Sequence, residues 1–118
     1  MNENLTLSYV ADTLQVSILC EVDHHKAKPL REAIDRAIFA YRPKVLELDF
    51  SAVRFMDSSG IALILGRLAL GEDFGFALVL CGLAPTAEKL LRLCGIEGRQ
   101  NITVRHARAP ITDEGDKR

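Results

Sequence analysis

The chain has 118 residues, a formal net charge of -1, 48% hydrophobic and 26% charged residues. That length fits one domain able to bury a core without staples, and that composition excludes a disordered chain. Acids and bases are mixed along it with no basic excess, so the electrostatic footprint of a nucleic-acid binder is missing and no nucleic-acid partner is expected.

The start, Met1-Asn2-Glu3-Asn4, carries an acid and neither a basic nor an apolar signal-peptide region. Leu5-Thr6-Leu7-Ser8-Tyr9-Val10 alternates apolar and polar residues. After a turn at Ala11-Asp12, Leu14, Val16 and Ile18 resume the alternation, which predicts an opening hairpin. Asp23-His24-His25 then leads into a helix. Leu30, Ala33, Ile34, Ala37, Ile38 and Tyr41 share one face of it, with Lys28, Arg31, Glu32, Asp35 and Arg36 on the other. Asp23 is read as its N-cap, and Pro43 closes the region.

Val45 to Phe50 reads as a strand. A second helix is expected from about Ser59 to Leu70, stopped by Gly71, with Ile61, Ile64, Leu65 and Leu68 toward the core. Phe76 to Cys81 is an apolar run between glycines, as a buried central strand would be. Phe74 and Phe76 around Gly75 are read as packing or turn anchors. Pro85 suits the first turn of a third helix carrying Ala87, Leu90, Leu91 and Cys94, ended by Gly95. Ile102-Thr103-Val104 is the last strand, and Arg105-His106-Ala107-Arg108 reads as its solvated end.

Strands alternating with helices predict an α/β fold with a four- to five-stranded mixed β-sheet, parallel after the hairpin. Residues 1–118 are expected to form a single domain, with a core over about 5–106 and a flexible tail over 107–118. Apolar runs such as Ile61 to Leu65 are too short to cross a bilayer, so a cytoplasmic protein without membrane contact is expected. Cys20, Cys81 and Cys94 are scattered without metal-type spacing and are read as buried free thiols in a reducing compartment. Adjacent His24 and His25 have no further ligand cluster, so no metal and no cofactor are expected.

The informative segment is Phe55-Met56-Asp57-Ser58-Ser59-Gly60-Ile61, where a strand gives way to a helix. Unpaired first-turn amides and the helix dipole favour an anion there, and Gly60 leaves the backbone open to close approach. Three chemistries compete for such a segment. An ordinary helix cap needs only Asp, Ser and Gly. A serine nucleophile at Ser58 or Ser59 would need a base, which only His24 or His25 could supply, and the Gly-x-Ser-x-Gly elbow is absent. A nucleotide-phosphate cradle would need a Gly-rich loop with lysine, and neither Walker nor Rossmann spacing occurs.

The same segment, continued through Leu65-Gly66-Arg67, closely resembles the signature of the STAS domain. Within that family it is most similar to the anti-sigma F factor antagonists of spore-forming bacteria. Glu21-Val22-Asp23-His24-His25 resembles the Glu-Leu-Asp-His-His of that branch, and Ala84-Pro85 and Cys94-Gly95-Ile96 echo its later landmarks. The likeness spans about residues 5–106. It implies a non-enzymatic regulator that binds an anti-sigma factor with serine kinase activity, releases a sigma factor, and is switched off by phosphorylation until a serine phosphatase reverses it. The resemblance maps the phosphorylated serine to Ser59. It maps the partner-binding surface to Asp23, Asp57, Ser58, Ser59 and Gly60. With Asp23 and Asp57 close by, phosphorylation is expected to make the patch strongly acidic.

Two departures stand out. Cys20 replaces a glycine usual in the family, which is expected to alter the turn near Asp23, and the end of the chain is more polar than the family's amphipathic terminal helix. Two other readings stay open: a STAS module of a stress-response or stressosome-like cascade, and a serine-dependent enzyme.

Overall fold

The turn at Ala11-Asp12 sets the first pairing. Both residues have positive φ, 54° and 64°, the conformation that matches a two-residue loop to the right-handed twist of its strands. In the computed structural model, which describes residues 3–105, β1 (Leu5–Val10) and β2 (Thr13–Ile18) therefore pair antiparallel, with Val10 opposite Thr13. From there the sheet is parallel: β2 beside β3 (Val45–Asp49), then β4 (Ala77–Cys81), then β5 (Ile102–Arg105), in the order β1-β2-β3-β4-β5. Helices α1 (His24–Tyr41), α2 (Ser58–Phe74) and α3 (Pro85–Leu93) make the three crossovers. This is the α/β fold with a mixed five-stranded sheet that the alternation of periods implies.

Strand alternation puts apolar residues in register across the sheet. Leu14, Leu46 and Leu78 form one row, and Val16, Leu48 and Leu80 the next. All six are essentially inaccessible. Onto them pack Leu30, Ile34 and Ile38 of α1, Ile61, Ile64 and Leu68 of α2, and Ala87 and Leu91 of α3. Each large aliphatic side chain so buried contributes about 1.5–3 kcal/mol. Sequential strand order with crossovers of one hand sets the helices side by side on one face, where α1 contacts α2 and α2 contacts α3. All three helices start beyond the carboxyl ends of the parallel strands, where α/β proteins place their sites.

Several expectations are corrected. Gly71 does not stop α2, which runs on to Phe74 and ends at Gly75 in the left-handed conformation, φ 82°. Gly71 is buried instead, because an added Cβ would lie 2.6 Å from the Phe76 carbonyl oxygen. Tyr41 leaves the core face and stacks on Tyr9 with ring centroids 4.8 Å apart, and Leu90 is half-exposed because only Ala87 and Leu91 of α3 reach the core. The cysteines are free but not buried: Cys20 and Cys81 are half-buried, and Cys94, just past the end of α3, is exposed. Cys20 is not among the described non-glycine residues with positive φ, which are Ala11, Asp12 and Arg42. The expected tail at 107–118 and His106 lie outside the described residues.

Candidate partner-binding site

Two helix starts lie side by side, and the reason is a short backbone link. Val22 and Met56 form an isolated parallel bridge. The Val22 amide donates to the Phe55 carbonyl at 3.0 Å, and the Asp57 amide donates to the Val22 carbonyl at 3.1 Å. The loop after β2 and the loop after β3 are thus tied together one residue before each helix cap.

Both caps are aspartates. The Asp23 carboxylate accepts from the Lys26 amide at 2.9 Å and starts α1. That hydrogen bond, opposed by partial desolvation and reinforced by His25 and Lys26, holds its pKa below the usual carboxylate value. The Asp57 carboxylate accepts from the Ser59 amide at 2.8 Å and starts α2, while the Gly60 amide donates to the Asp57 carbonyl at 3.0 Å. Asp57, not either serine, is therefore the cap of α2, and Ser58 and Ser59 are its first two helical residues.

Four of the five residues drawn together by the motif share this surface: Asp23 and Asp57 half-buried, Ser58 exposed, Ser59 half-buried. Gly60 does not join them. It is buried, and a side chain there would collide with Met56 and press on Val22. Its smallness serves internal packing, which corrects the expectation of open backbone facing a partner.

Ser59 lines a cleft of about 330 Å³ between α1 and α2, together with His24, Ala27, Lys28, Arg31, Ala62 and Leu63. The charged lining is basic and comes wholly from α1. The Asp23 and Asp57 carboxylates are engaged with backbone amides at the helix starts, while the side facing α1 presents cations. Lys28 and Arg31 belong to the polar face of α1, but nothing local in the sequence says that this face overlooks Ser59. Phe55, two residues before the Asp57 cap, is a half-exposed aromatic whose exposure the motif does not reveal.

Deeper between the same helices, Arg67 is 6% exposed. Its Nε lies 3.1 Å from Asp35 Oδ1 without an aligned hydrogen bond. Burial pushes the Asp35 carboxyl up against the pull of Arg67 and Arg31, and the same burial lowers the Arg67 pKa.

Among the described residues no hydrogen bond joins Ser59 to His24 or His25, no group of three or more His, Cys, Asp or Glu could hold a metal ion, and no helix is long and apolar enough to cross a membrane. The arrangement offers an accessible pair of hydroxyls, two capping carboxylates and a basic cleft: equipment for recognition and charge control.

With this geometry in hand, the likeness to known proteins is direct. The chain belongs to the STAS domain family, whose profile matches residues 7–109. It is 31% identical over 96 residues to the anti-sigma F factor antagonist of Paenibacillus polymyxa, covering 81% of this chain and 82% of that one. It is 30% identical over 102 residues to the anti-sigma-B factor antagonist of Bacillus subtilis (strain 168), covering 86% and 89%. The solved structure of the Bacillus cell fate determinant SpoIIAA in the phosphorylated form superposes with a TM-score of 0.68 at 28% identity, covering 86% of this chain and 90% of that one.

Proposed function

We propose that this protein is an anti-sigma factor antagonist working by partner switching. Unphosphorylated, it binds an anti-sigma factor that is also a serine kinase, and a sigma factor is released. The kinase then transfers the γ-phosphoryl group of ATP to Ser59: the Ser59 Oγ forms a bond to the γ-phosphorus as the bond from that phosphorus to the ADP oxygen breaks, ADP leaves, and the hydroxyl proton is released. A serine phosphatase hydrolyses the ester and restores binding. Its site of action on this reading is the cytoplasm.

The observation that carries the reading is the position of Ser59, second residue of a helix capped by Asp57, beside the Asp23 start of α1. Asp23, Asp57 and Ser58 complete the binding surface, with Phe55 as an apolar neighbour of the kind interfaces favour. The antagonist names of the two relatives and the phosphorylated form of SpoIIAA support it. Phosphate adds a charge of about -1.5 to -2, and an interface that closed over a neutral hydroxyl must then desolvate an anion. A loss of about 4 kcal/mol is a roughly thousandfold loss in affinity, so no refolding is needed.

Exposure alone favours Ser58 as the acceptor, whereas the motif position favours Ser59. Mass spectrometry after incubation with a kinase-type anti-sigma factor and ATP separates them. Phosphate on wild type and Ser58→Ala, and none on Ser59→Ala, is the expected pattern. Phosphate on Ser58, or persisting in Ser59→Ala, overturns the assignment. The near-equal identity to the sigma-B antagonist supports a second reading, a general-stress cascade. Titration against anti-sigma factors of both classes decides which binds more tightly.

A further inference from the structure

We propose that the cleft between the starts of α1 and α2 is an anion pocket in cis: it takes up the phosphoryl group of phospho-Ser59, with Lys28, Arg31 and His24 as the receiving side chains. This rests on Ser59 being the modified residue and says where the phosphate goes. Three observations lead there.

Two of the first-turn amides that an anion would use at this helix start are already engaged. The Ser59 amide serves the Asp57 carboxylate at 2.8 Å, and the Gly60 amide serves the Asp57 carbonyl. A phosphate could use those amides only by displacing the cap. Ser59 does, however, open onto a cleft of about 330 Å³, and there the charged lining is basic. His24, Lys28 and Arg31 follow one another along the facing side of α1, while Ala27, Ala62 and Leu63 are too small or too apolar to compete for an anion. The cleft is also unbalanced in charge. Arg31 acts electrostatically on both Arg67 and Asp35, so two guanidiniums share one nearby carboxylate. The two carboxylates that cap these helix starts are already engaged, Asp57 by the Ser59 amide and Asp23 by the Lys26 amide, with His25 and Lys26 also acting on Asp23.

A phosphoryl group in this cleft gains charge-assisted hydrogen bonds from α1 and ties the two helix starts together. The modified protein then holds its own phosphate. The cleft is filled and neutralised, a partner loses access to its walls, and a phosphatase must draw the ester out before hydrolysing it. A carboxylate at position 59 is shorter and carries fewer acceptors, so Ser59→Asp reaches the cleft poorly and mimics the modified state incompletely.

The test uses full-length protein with phosphoserine installed at position 59 during translation, so that no kinase is involved. The phosphate's second ionisation is read by phosphorus NMR titration. A solvent-exposed phosphoserine ionises near pH 6, and cations in the cleft lower that value. A value lower by about half a unit or more is expected in the otherwise wild-type chain, returning toward the exposed value in Lys28→Gln/Arg31→Gln. Lys44→Gln/Lys89→Gln removes the same charge from exposed positions away from the cleft and should leave the titration unchanged. Lys28→Gln alone, at an exposed position, covers the case in which the double variant fails to fold, and should give part of the effect. A wild-type value at or above that of an exposed phosphoserine, cleft variants that track the control pair, or an unmoved Lys28→Gln titration would each overturn the pocket. Failure of a kinase to modify Ser59 would instead defeat the functional reading and leave this titration standing.

Discussion

The Asp57 amide donates to the Val22 carbonyl at 3.1 Å, so the residue that caps α2 hangs from the residue that precedes the cap of α1. Through this bond two aspartates far apart in the chain become neighbours at one surface. It also means that each of them is both a structural cap and a candidate recognition group, and the two roles need separating.

Asparagine caps a helix about as well as aspartate, while alanine does not. Asp23→Asn should therefore keep the unfolding midpoint at neutral pH yet weaken binding to a kinase-type anti-sigma factor, whereas Asp23→Ala should lose both stability and affinity. The Asp23 pKa is lowered in the folded state by the Lys26 amide. Its ionised cap thus adds stability above the unfolded value of about 3.9, and that contribution fades as pH falls through the lowered folded value. Urea denaturation at pH 7 and in acid, beside calorimetric titration with the partner, checks both halves. Unchanged affinity in Asp23→Asn would remove its charge from the interface.

The Arg67–Asp35 pair predicts strong non-additivity. Removing one partner of a buried pair strands the other charge. Since the Asp35 side chain keeps 28% of its exposure, screening trims the usual penalty. Arg67→Met should cost about 2–3 kcal/mol. The double variant Arg67→Met/Asp35→Leu should recover most of it, giving a coupling energy above about 1 kcal/mol in a denaturation cycle. Additive losses would show that the pair does not act as a unit.

Two glycines of α2 should respond in opposite directions to alanine. At Gly66 an added Cβ meets nothing within 4 Å, so Gly66→Ala should stabilise by about 0.5–1 kcal/mol through helix propensity. At Gly71 the Cβ would press on the Phe76 carbonyl and ring. Overpacking of about 1–3 kcal/mol then outweighs that gain, for a net loss of about 1 kcal/mol. Thermal unfolding of the two variants side by side is the measurement, and a stabilised Gly71→Ala would contradict the packing role.

Much of the architecture is legible from local pattern. Period-2 alternation in Leu5 to Val10 and Leu14 to Ile18 marks the hairpin, and the Leu30-Ile34-Ile38 stripe marks α1, because side-chain direction within an element follows from its own backbone geometry. The cap at Asp23 and the helix entry at Pro85 are equally local, and the Asp57-Ser58-Ser59-Gly60 run with Asp23-His24-His25 upstream carries the family. What only the tertiary structure decides is how these elements meet. Glycine at 71 reads as a stop until Phe76 is seen lying against it, and glycine at 60 reads as open backbone until Met56 and Val22 cover it. Lys28 and Arg31 read as ordinary solvated charge until α2 puts Ser59 opposite them. Periodicity specifies which side of a helix is apolar. It carries no information about which residue of another helix stands across a cleft, because that depends on how the helices are brought together, and here their starts are tied by the backbone bridge between Val22 and Met56.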